Sequence, residues 1–301
     1  MTLTGVLNVY KEKDMTSFDV IGILRKVSGQ KRIGHAGTLD PMARGVLPVC
    51  FGRATRISDY ISEQGKEYLA LMRFGIKTDT LDREGKVIDE SKQPTFSLEE
   101  VNAAMDQFRG TILQEPPMYS AVKVKGKKLY DYARQGVEVV RKARPIQIDL
   151  LEALSLEGPF LRFRCQCSKG TYIRKLAEDL ANELGTIGTL WALERVRVGP
   201  FTADQAISID RLKGRNPMDL LSLLTPMEDA LPHFPSIHLK GEEARGAAYG
   251  QSVAWQEEWN SNEEIIHHDL YKVFTEKGFL GLGMKENDGL KMKKVLADFK
   301  G

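Results

Sequence analysis

The chain has 301 residues, 28% of them charged and 42% hydrophobic, and 43 Lys plus Arg against 41 Asp plus Glu leave a formal net charge of +2. This composition belongs to a folded globular chain and excludes a disordered tail protein, which carries fewer apolar residues and a larger net charge. The longest apolar stretch, Val46 to Phe51, falls far short of the ~20 residues of a membrane span.

At about 150 residues per domain the length admits two domains. Gly5 to Lys11 reads as a short strand. Ser17 is placed as the N-cap of a helix through Val20, Ile21, Ile23, Leu24 and Val27, with Gly29 as its C-terminal stop. A loop rich in glycine and basic residues runs from Lys31 to Gly45, and strands follow at Val46 to Phe51 and Glu67 to Phe74. Thr78 to Gly85 has the Asp and Gly content of a chain reversal. Ser97-Leu98-Glu99-Glu100 is a capping box opening a helix to Phe108, with Gly110 placed to end it. Ile146 to Ala153 and Phe160 to Cys167 read as paired strands, and a helix spans about Thr171 to Leu184 before Gly185. Strands and helices without regular βαβ alternation predict an α+β fold. Pro226 to Pro235 reads as a linker. Beyond it, Leu270 to Phe274 and Phe279 to Met284 form an expected hairpin, and Lys291 to Leu296 adds a strand to a small, mostly β tail.

The near-zero net charge argues against a nucleic-acid partner, but its distribution does not. Lys11 to Arg73 holds 11 basic and 7 acidic residues, Lys123 to Arg174 holds 12 and 5, and Ser236 to Gly301 holds 9 and 11. The basic blocks at Lys123 to Lys128 and Arg141 to Arg144 are either solvated faces or a phosphate-binding surface.

Several chemistries are missing. Cys50, Cys165 and Cys167 are an odd number without a C-x-x-C pair, fitting neither a disulfide framework nor a zinc site. No secretory signal is visible, so a reducing cytoplasm is expected. No phosphate-binding, dinucleotide, zinc-protease or serine-hydrolase motif occurs. His267 and His268 are adjacent, would face opposite ways on a strand, and read as surface residues; His233 and His238 lack ligand-like partners.

The segment Gly34 to Val49 (GHAGTLDPMARGVLPV) is the most informative. Pro41 holds Asp40 in extended backbone, which places a carboxylate on a stiffened loop just before a buried strand. Asp40 is therefore either the start of an Asp-Pro turn or a catalytic carboxylate. This segment resembles the signature of the TruB-type tRNA pseudouridine-55 synthases. Family-like motifs follow in order at Lys66 to Tyr68, Thr78 to Asp82, Pro116 to Lys123, Leu129 to Gly136, Cys167 to Arg174 and Leu193 to Gly199.

The resemblance implies a mixed, largely antiparallel central sheet flanked by helices and loops. It implies a catalytic domain over 1–232 with a thumb-like basic insertion at about 123–146, and a PUA-like RNA-binding module over 236–301. It makes Asp40 the catalytic aspartate, Tyr68 the residue stacking on the target uracil and Arg174 the partner of the aspartate. Tyr172 and Leu193 line the base pocket, His35 fills space vacated in the RNA loop, and Lys11 and Lys169 also bind substrate. The reaction detaches uracil at N1 and re-attaches it through C5, so no cofactor or metal is implied. It needs an ionised carboxylate, which a guanidinium favours. Attack on uracil C6, attack on ribose C1′ and a glycal route with Tyr68 as base are all compatible with it. The partner is tRNA, flipped to expose the base, with no membrane or protein partner and a monomeric chain. Two rivals are an RNA-folding factor and a guide-dependent ribosomal-RNA-type synthase. Three departures stand out. Lys11-Glu12-Lys13-Asp14-Met15 replaces the usual Lys-Pro-x-Gly-Met, Gly188-Thr189 replaces Ala-His, and Glu194 replaces an arginine.

Overall fold

The computed structural model describes residues 2–92, 94–256, 259, 269–287 and 289–297. In chain order the body contributes β1 (Gly5–Lys11), α1 (Ser17–Ser28), β2 (Ile33–His35), β3 (Arg44–Phe51), α2 (Ser58–Glu63) and β4 (Lys66–Phe74). The hairpin β5 (Ile76–Thr78) and β6 (Val87–Glu90) follows, then α3 (Leu98–Asp106) and β7 (Gly110–Gln114). A basic arm carries β8 (Lys123–Val124), β9 (Lys127–Lys128) and α4 (Leu129–Ala133). The body closes with β10 (Arg144–Glu157), β11 (Phe160–Cys167), α5 (Ile173–Glu183), β12 (Gly188–Val198), β13 (Phe201–Thr202) and β14 (Ile207–Ser208).

The strands form one mixed sheet in the order β14-β1-β3-β12-β4-β11-β10-β7, with β2 on β3 and β13 on β12. Only the β1/β14 and β12/β3 pairs are parallel. The expectation of a mixed, largely antiparallel α+β sheet therefore holds. β12, the last long strand of the body, lies between β3 and β4 in the middle of the sheet.

Alternation along the strands makes two unlike faces. Tyr68, Ala70, Met72 and Phe74 of β4 and Leu161, Phe163, Cys165 and Cys167 of β11 point inward. They build one core with Val101 and Met105 of α3 and Leu176, Ala177 and Leu180 of α5. Leu69, Leu71, Arg73, Arg162 and Arg164 alternate with them and face outward. A second core packs Leu7, Val9, Leu47 and Phe51 of β1 and β3 under Val20, Ile21 and Leu24 of α1.

A second sheet in the tail has the order β15 (Ser236–His238), β17 (Leu270–Thr275), β18 (Gly278–Glu286), β19 (Gly289–Val295) and β16 (Val253–Ala254). Its Leu282 and Leu296 join a core with Val6, Ile57 and Ile61 of the body. Arg53 Nη1 donates to the Leu296 carbonyl at 3.0 Å, and Lys294 Nζ donates to the Arg56 carbonyl at 2.6 Å.

Two expected helix boundaries are corrected. Thr16, not Ser17, caps α1: its hydroxyl accepts from the Asp19 amide while Asp19 reaches back to the Thr16 amide. Ser17 is occupied elsewhere, because its Oγ accepts from the Leu39 amide at 2.9 Å and donates to the Leu39 carbonyl at 3.1 Å. Helix α3 ends at Asp106, two residues short of Phe108. Gly110, expected to stop it, instead opens β7 with φ 84°. The Gly29 stop of α1 holds, with φ 66°. His267 and His268 lie outside the described residues.

Candidate active site

The Asp40 segment links β2 to β3, and its neighbours pin it at nearly every residue. Arg195, 1% exposed, donates from Nε to the Val46 carbonyl at 2.8 Å, from Nη1 to that of Thr38 at 3.2 Å and from Nη2 to that of Gly37 at 3.1 Å. Ser17 brackets Leu39 as described. Lys11 Nζ donates to the carbonyls of Met15 at 2.7 Å, Glu12 at 2.9 Å and Pro41 at 3.3 Å. Just after the loop, Gly45 has φ 113°, and a Cβ there would lie on the Arg195 backbone, where β3 meets β12.

The Asp40 carboxylate faces Arg174 of α5, whose Nε lies 3.0 Å from Asp40 Oδ2. The guanidinium is buried and fully engaged. Its Nη1 donates to the Thr80 carbonyl at 3.0 Å and stands 3.6 Å from Asp82 Oδ2, and its Nη2 donates to the Tyr119 carbonyl at 2.9 Å. Asp82 is itself held by the Thr80 hydroxyl at 2.7 Å and the Glu84 amide at 3.1 Å. One arginine thus joins the Asp40 carboxylate to the turn after β5 and to the segment leading into the basic arm.

Asp40 opens onto a cleft of about 430 Å³ lined by Tyr68, Tyr172, Arg174 and Leu193, with Lys66, Lys169, Arg195 and Tyr130 completing the wall. This size suits a nucleoside rather than a macromolecular groove. Burial pushes the Tyr68 hydroxyl up to about 12, although Arg195 beside it acts the other way. At neutral pH it is therefore a phenol, not a phenolate. Burial, reinforced by the Arg195 charge, lowers Lys66 from 10.5 to about 8. Lys66 Nζ donates to the carbonyls of Ser62 at 2.6 Å and Gln64 at 3.1 Å. Cations outnumber carboxylates around the cleft, as a phosphate-bearing substrate requires.

Of the expected site residues, Asp40, Tyr68, Arg174, Tyr172, Leu193 and Lys169 come together here. Lys169 also pairs with Glu63 at 2.6 Å. Two do not reach the cleft. Lys11 is fully buried and spends its ammonium on three carbonyls, so it braces the Asp40 loop. His35 stands on β2 outside the lining, with its pKa lowered by burial and by Arg195, so its ring is neutral at pH 7. Arg195 and Asp82 were not singled out by the sequence. Each sits inside a quoted motif, but a buried arginine and a surface one look alike in sequence.

The departures have local explanations. Asp14 occupies the position of the usual glycine with φ 65°, and its amide donates to the Pro41 carbonyl at 2.8 Å. The left-handed turn is thus kept with a side chain that tolerates it. Glu194 accepts from Arg44 Nη2 at 2.8 Å and Nε at 3.1 Å, and from the Tyr10 hydroxyl at 2.8 Å. At Gly188 a Cβ would meet Ala181 and Met72, each at 2.8 Å.

Comparison with known proteins gives the chain a family. Residues 25–173 match the family described as TruB family pseudouridylate synthase (N terminal domain), and residues 174–232 match the tRNA pseudouridylate synthase B C-terminal domain. A tRNA pseudouridine synthase B of Clostridium tetani is 42% identical over 294 residues, covering 98% of this chain and 100% of the relative. One from Clostridium novyi is 41% identical over 295 residues, with 98% and 100% covered. Among solved structures, a chain of a Cbf5-Nop10-Gar1 complex superposes with a TM-score of 0.72 at 25% identity, covering 97% of this chain and 85% of that one. A chain of the archaeal box H/ACA sRNP Nop10-Cbf5 complex shares the fold, with a TM-score of 0.70 at 23% identity over 97% and 86%.

The class these matches define is the pseudouridylate synthases, isomerases that turn uridine into pseudouridine. Within that class, the chain belongs to the TruB family.

Proposed function

We propose that the chain isomerises uridine 55 in the T-stem loop of tRNA, with Asp40 as the catalytic carboxylate. The observation that carries this reading is the Asp40–Arg174 pair opening onto a nucleoside-sized cleft beside Tyr68. The N1–C1′ bond breaks, a C5–C1′ bond forms, the C5 proton leaves to solvent and N1 gains one. The net change is zero in electrons. Arg174, 3.0 Å from the carboxylate, orients Asp40 for its role. The extruded uracil stacks on Tyr68, which recovers about 1–3 kcal/mol of the flipping cost. Tyr172 and Leu193 close the base pocket, and Lys169 meets the backbone. Because burial pushes the Tyr68 hydroxyl up to about 12, the residue enters the reaction as a neutral phenol.

In this reading residues 1–232 form the catalytic domain, and the basic arm over 123–146 closes on the T-stem as a thumb. Residues 236–301 form a PUA-like RNA-binding module. The enzyme works as a cytoplasmic monomer on tRNA.

Unmodified tRNA tritiated at uracil C5 tests the reading. Tritium release without guide RNA is the expected result. Asp40→Asn abolishes it while tRNA binding persists. Wild-type turnover in that variant sinks the assignment, and a requirement for guide RNA favours the ribosomal-RNA-type rival.

A further inference from the structure

A second cavity, of about 280 Å³, backs onto the first. Leu193 lines both, and Met42, two residues beyond Asp40, lines the second. Its floor is apolar, made by Leu69, Leu71 and Ala192 of the outer sheet face. Its rim is cationic, with Lys13, Arg44, Arg83 and Arg162 against one carboxylate, Glu194. That carboxylate is already engaged by Arg44 and Tyr10. The side chains of Lys13, Arg83 and Arg162 form no ion pair or hydrogen bond with any described residue, which leaves three cations for one apolar floor.

The surroundings continue the pattern. On the same face Arg73 lies over the rings of Trp191 at 5.3 Å and Phe160 at 5.9 Å, next to Leu71 and Arg162 along the strands. Arg164 and Arg197 flank it, both turned onto Glu67. Unpaired cations beside apolar and aromatic surface suit a ligand with phosphates and planar bases. A protein partner with an acidic surface would leave the apolar floor unfilled, and a free anion would leave it wet.

We propose that this pocket is a second RNA-backbone site. It takes a phosphodiester against Lys13, Arg83 and Arg162 and the attached nucleoside on the Leu69–Leu71–Ala192 floor. The inference rests on the tRNA reading above. The occupant is a segment of that tRNA other than the nucleotides held in the catalytic cleft. In this chain Glu194 tempers the site by neutralising Arg44.

The test is equilibrium binding of unmodified tRNA by the full chain between 50 and 200 mM KCl. Replacing Lys13, Arg83 and Arg162 together by alanine is expected to lower the slope of log K against log salt by about 2–3 and weaken binding at least about tenfold. Glu194→Gln frees Arg44 and moves the other way, tightening binding about two- to fivefold. The proposal is overturned if the triple variant keeps the wild-type slope and affinity, or if Glu194→Gln weakens binding. Thermal melting checks the variants. If the triple variant melts early, Arg162→Gln alone should still lower the slope by about 1, and an unchanged slope overturns the site. A wild-type chain that binds no tRNA counts against the proposed substrate instead. In that event the pocket stands if poly(U) binds the wild type better than the triple variant, and falls if both bind it equally.

Discussion

Residues 36–45 and residues 123–144 both reach the cleft beside Asp40, yet they are held in opposite ways. In the first segment Arg195 grips Gly37 and Thr38, Ser17 brackets Leu39, Arg174 holds Asp40 and Lys11 braces Pro41. In the second, the strands are two residues long, Leu129 is the buried anchor, and Lys123, Lys125, Lys142 and Arg144 stand in solvent. Apart from Arg144, which already pairs with Gln114 of β7, its ties to neighbouring segments include the Leu129 amide to the Val122 carbonyl at 2.8 Å, the Tyr130 amide to the Ser120 carbonyl at 3.1 Å, Arg141 Nη1 to the Pro116 carbonyl at 3.2 Å, and the Arg141–Glu115 ion pair. A carboxylate that must meet one atom needs a fixed seat, because a displacement of about 1 Å can cost a hundredfold in rate. A surface that, in the proposed function, admits and then encloses an RNA loop needs freedom to move. The chain divides the two tasks between a pinned loop and a loosely tied arm.

The sharpest way to break this contrast is Arg195→Met. It orphans the Gly37 and Thr38 carbonyls of the pinned loop and the Val46 carbonyl of β3 at once, so about 3 kcal/mol or more of stability should be lost in urea denaturation, together with most activity. A variant with native stability and turnover would mean that the loop holds its shape without its anchor.

Alkaline pH probes the same bracing from another side. Burial lowers both Lys11 and Lys66 from 10.5 to about 8. The unfolded chain keeps these protons up to 10.5 while the folded chain releases them near 8. Between those values the unfolded state binds more protons, so the two lysines make stability rise with pH. Activity should move the opposite way, because a neutral Lys11 gives up part of its hold on the Pro41 carbonyl. Tritium release and melting temperature measured together from pH 7 to 9.5 should diverge, and Lys11→Met should flatten part of both trends.

The arm should answer differently. Replacing Lys123, Lys125 and Arg144 by alanine should leave the melting temperature within a degree or two. Each replacement that removes a phosphate contact should lower the salt slope of tRNA binding by about 1. A large loss of stability would show the arm to be as firmly built as the loop. The smallest expected effect is at Asp14, where glycine should relieve the left-handed backbone but bring its own entropic cost, so that unfolding stability changes by less than about 0.5 kcal/mol.

The two segments were also unequally legible. The Asp40 loop was readable because proline and glycines write backbone conformation directly into sequence, and the arm because its lysines are consecutive. The sequence pattern does not show β12 as a strand, although it carries Leu193 and Arg195. Its pairing with β4 shifts register between Leu190 and Ala192 and again between Arg195 and Arg197. Each irregularity breaks the period-two alternation by which a strand is read, and each re-aims side chains. The same shifts that hid the strand accompany the turn of Leu193 and Arg195 toward the cleft. Lys11 and Ser17 mislead for a related reason: both spend their polar atoms on the Asp40 loop, a long-range contact that local pattern does not encode.

The central place of β12 also sets an order of events during synthesis. β3 and β4 are neighbours in sequence but cannot join directly, because residues 188–198 lie between them. After Phe74 has been made, 124 more residues must be polymerised before Val198 appears, roughly 6–25 s at about 5–20 residues per second. Until then the half of the sheet bearing Asp40 and the half bearing Tyr68 share no strand, and Arg195 is not there to grip the loop. The nascent chain therefore passes through a long interval with two unjoined sheet edges, a state that favours slow, non-local closure and exposes it to mispairing. The two halves of the cleft can be joined only after the last long strand has been made and lies between them.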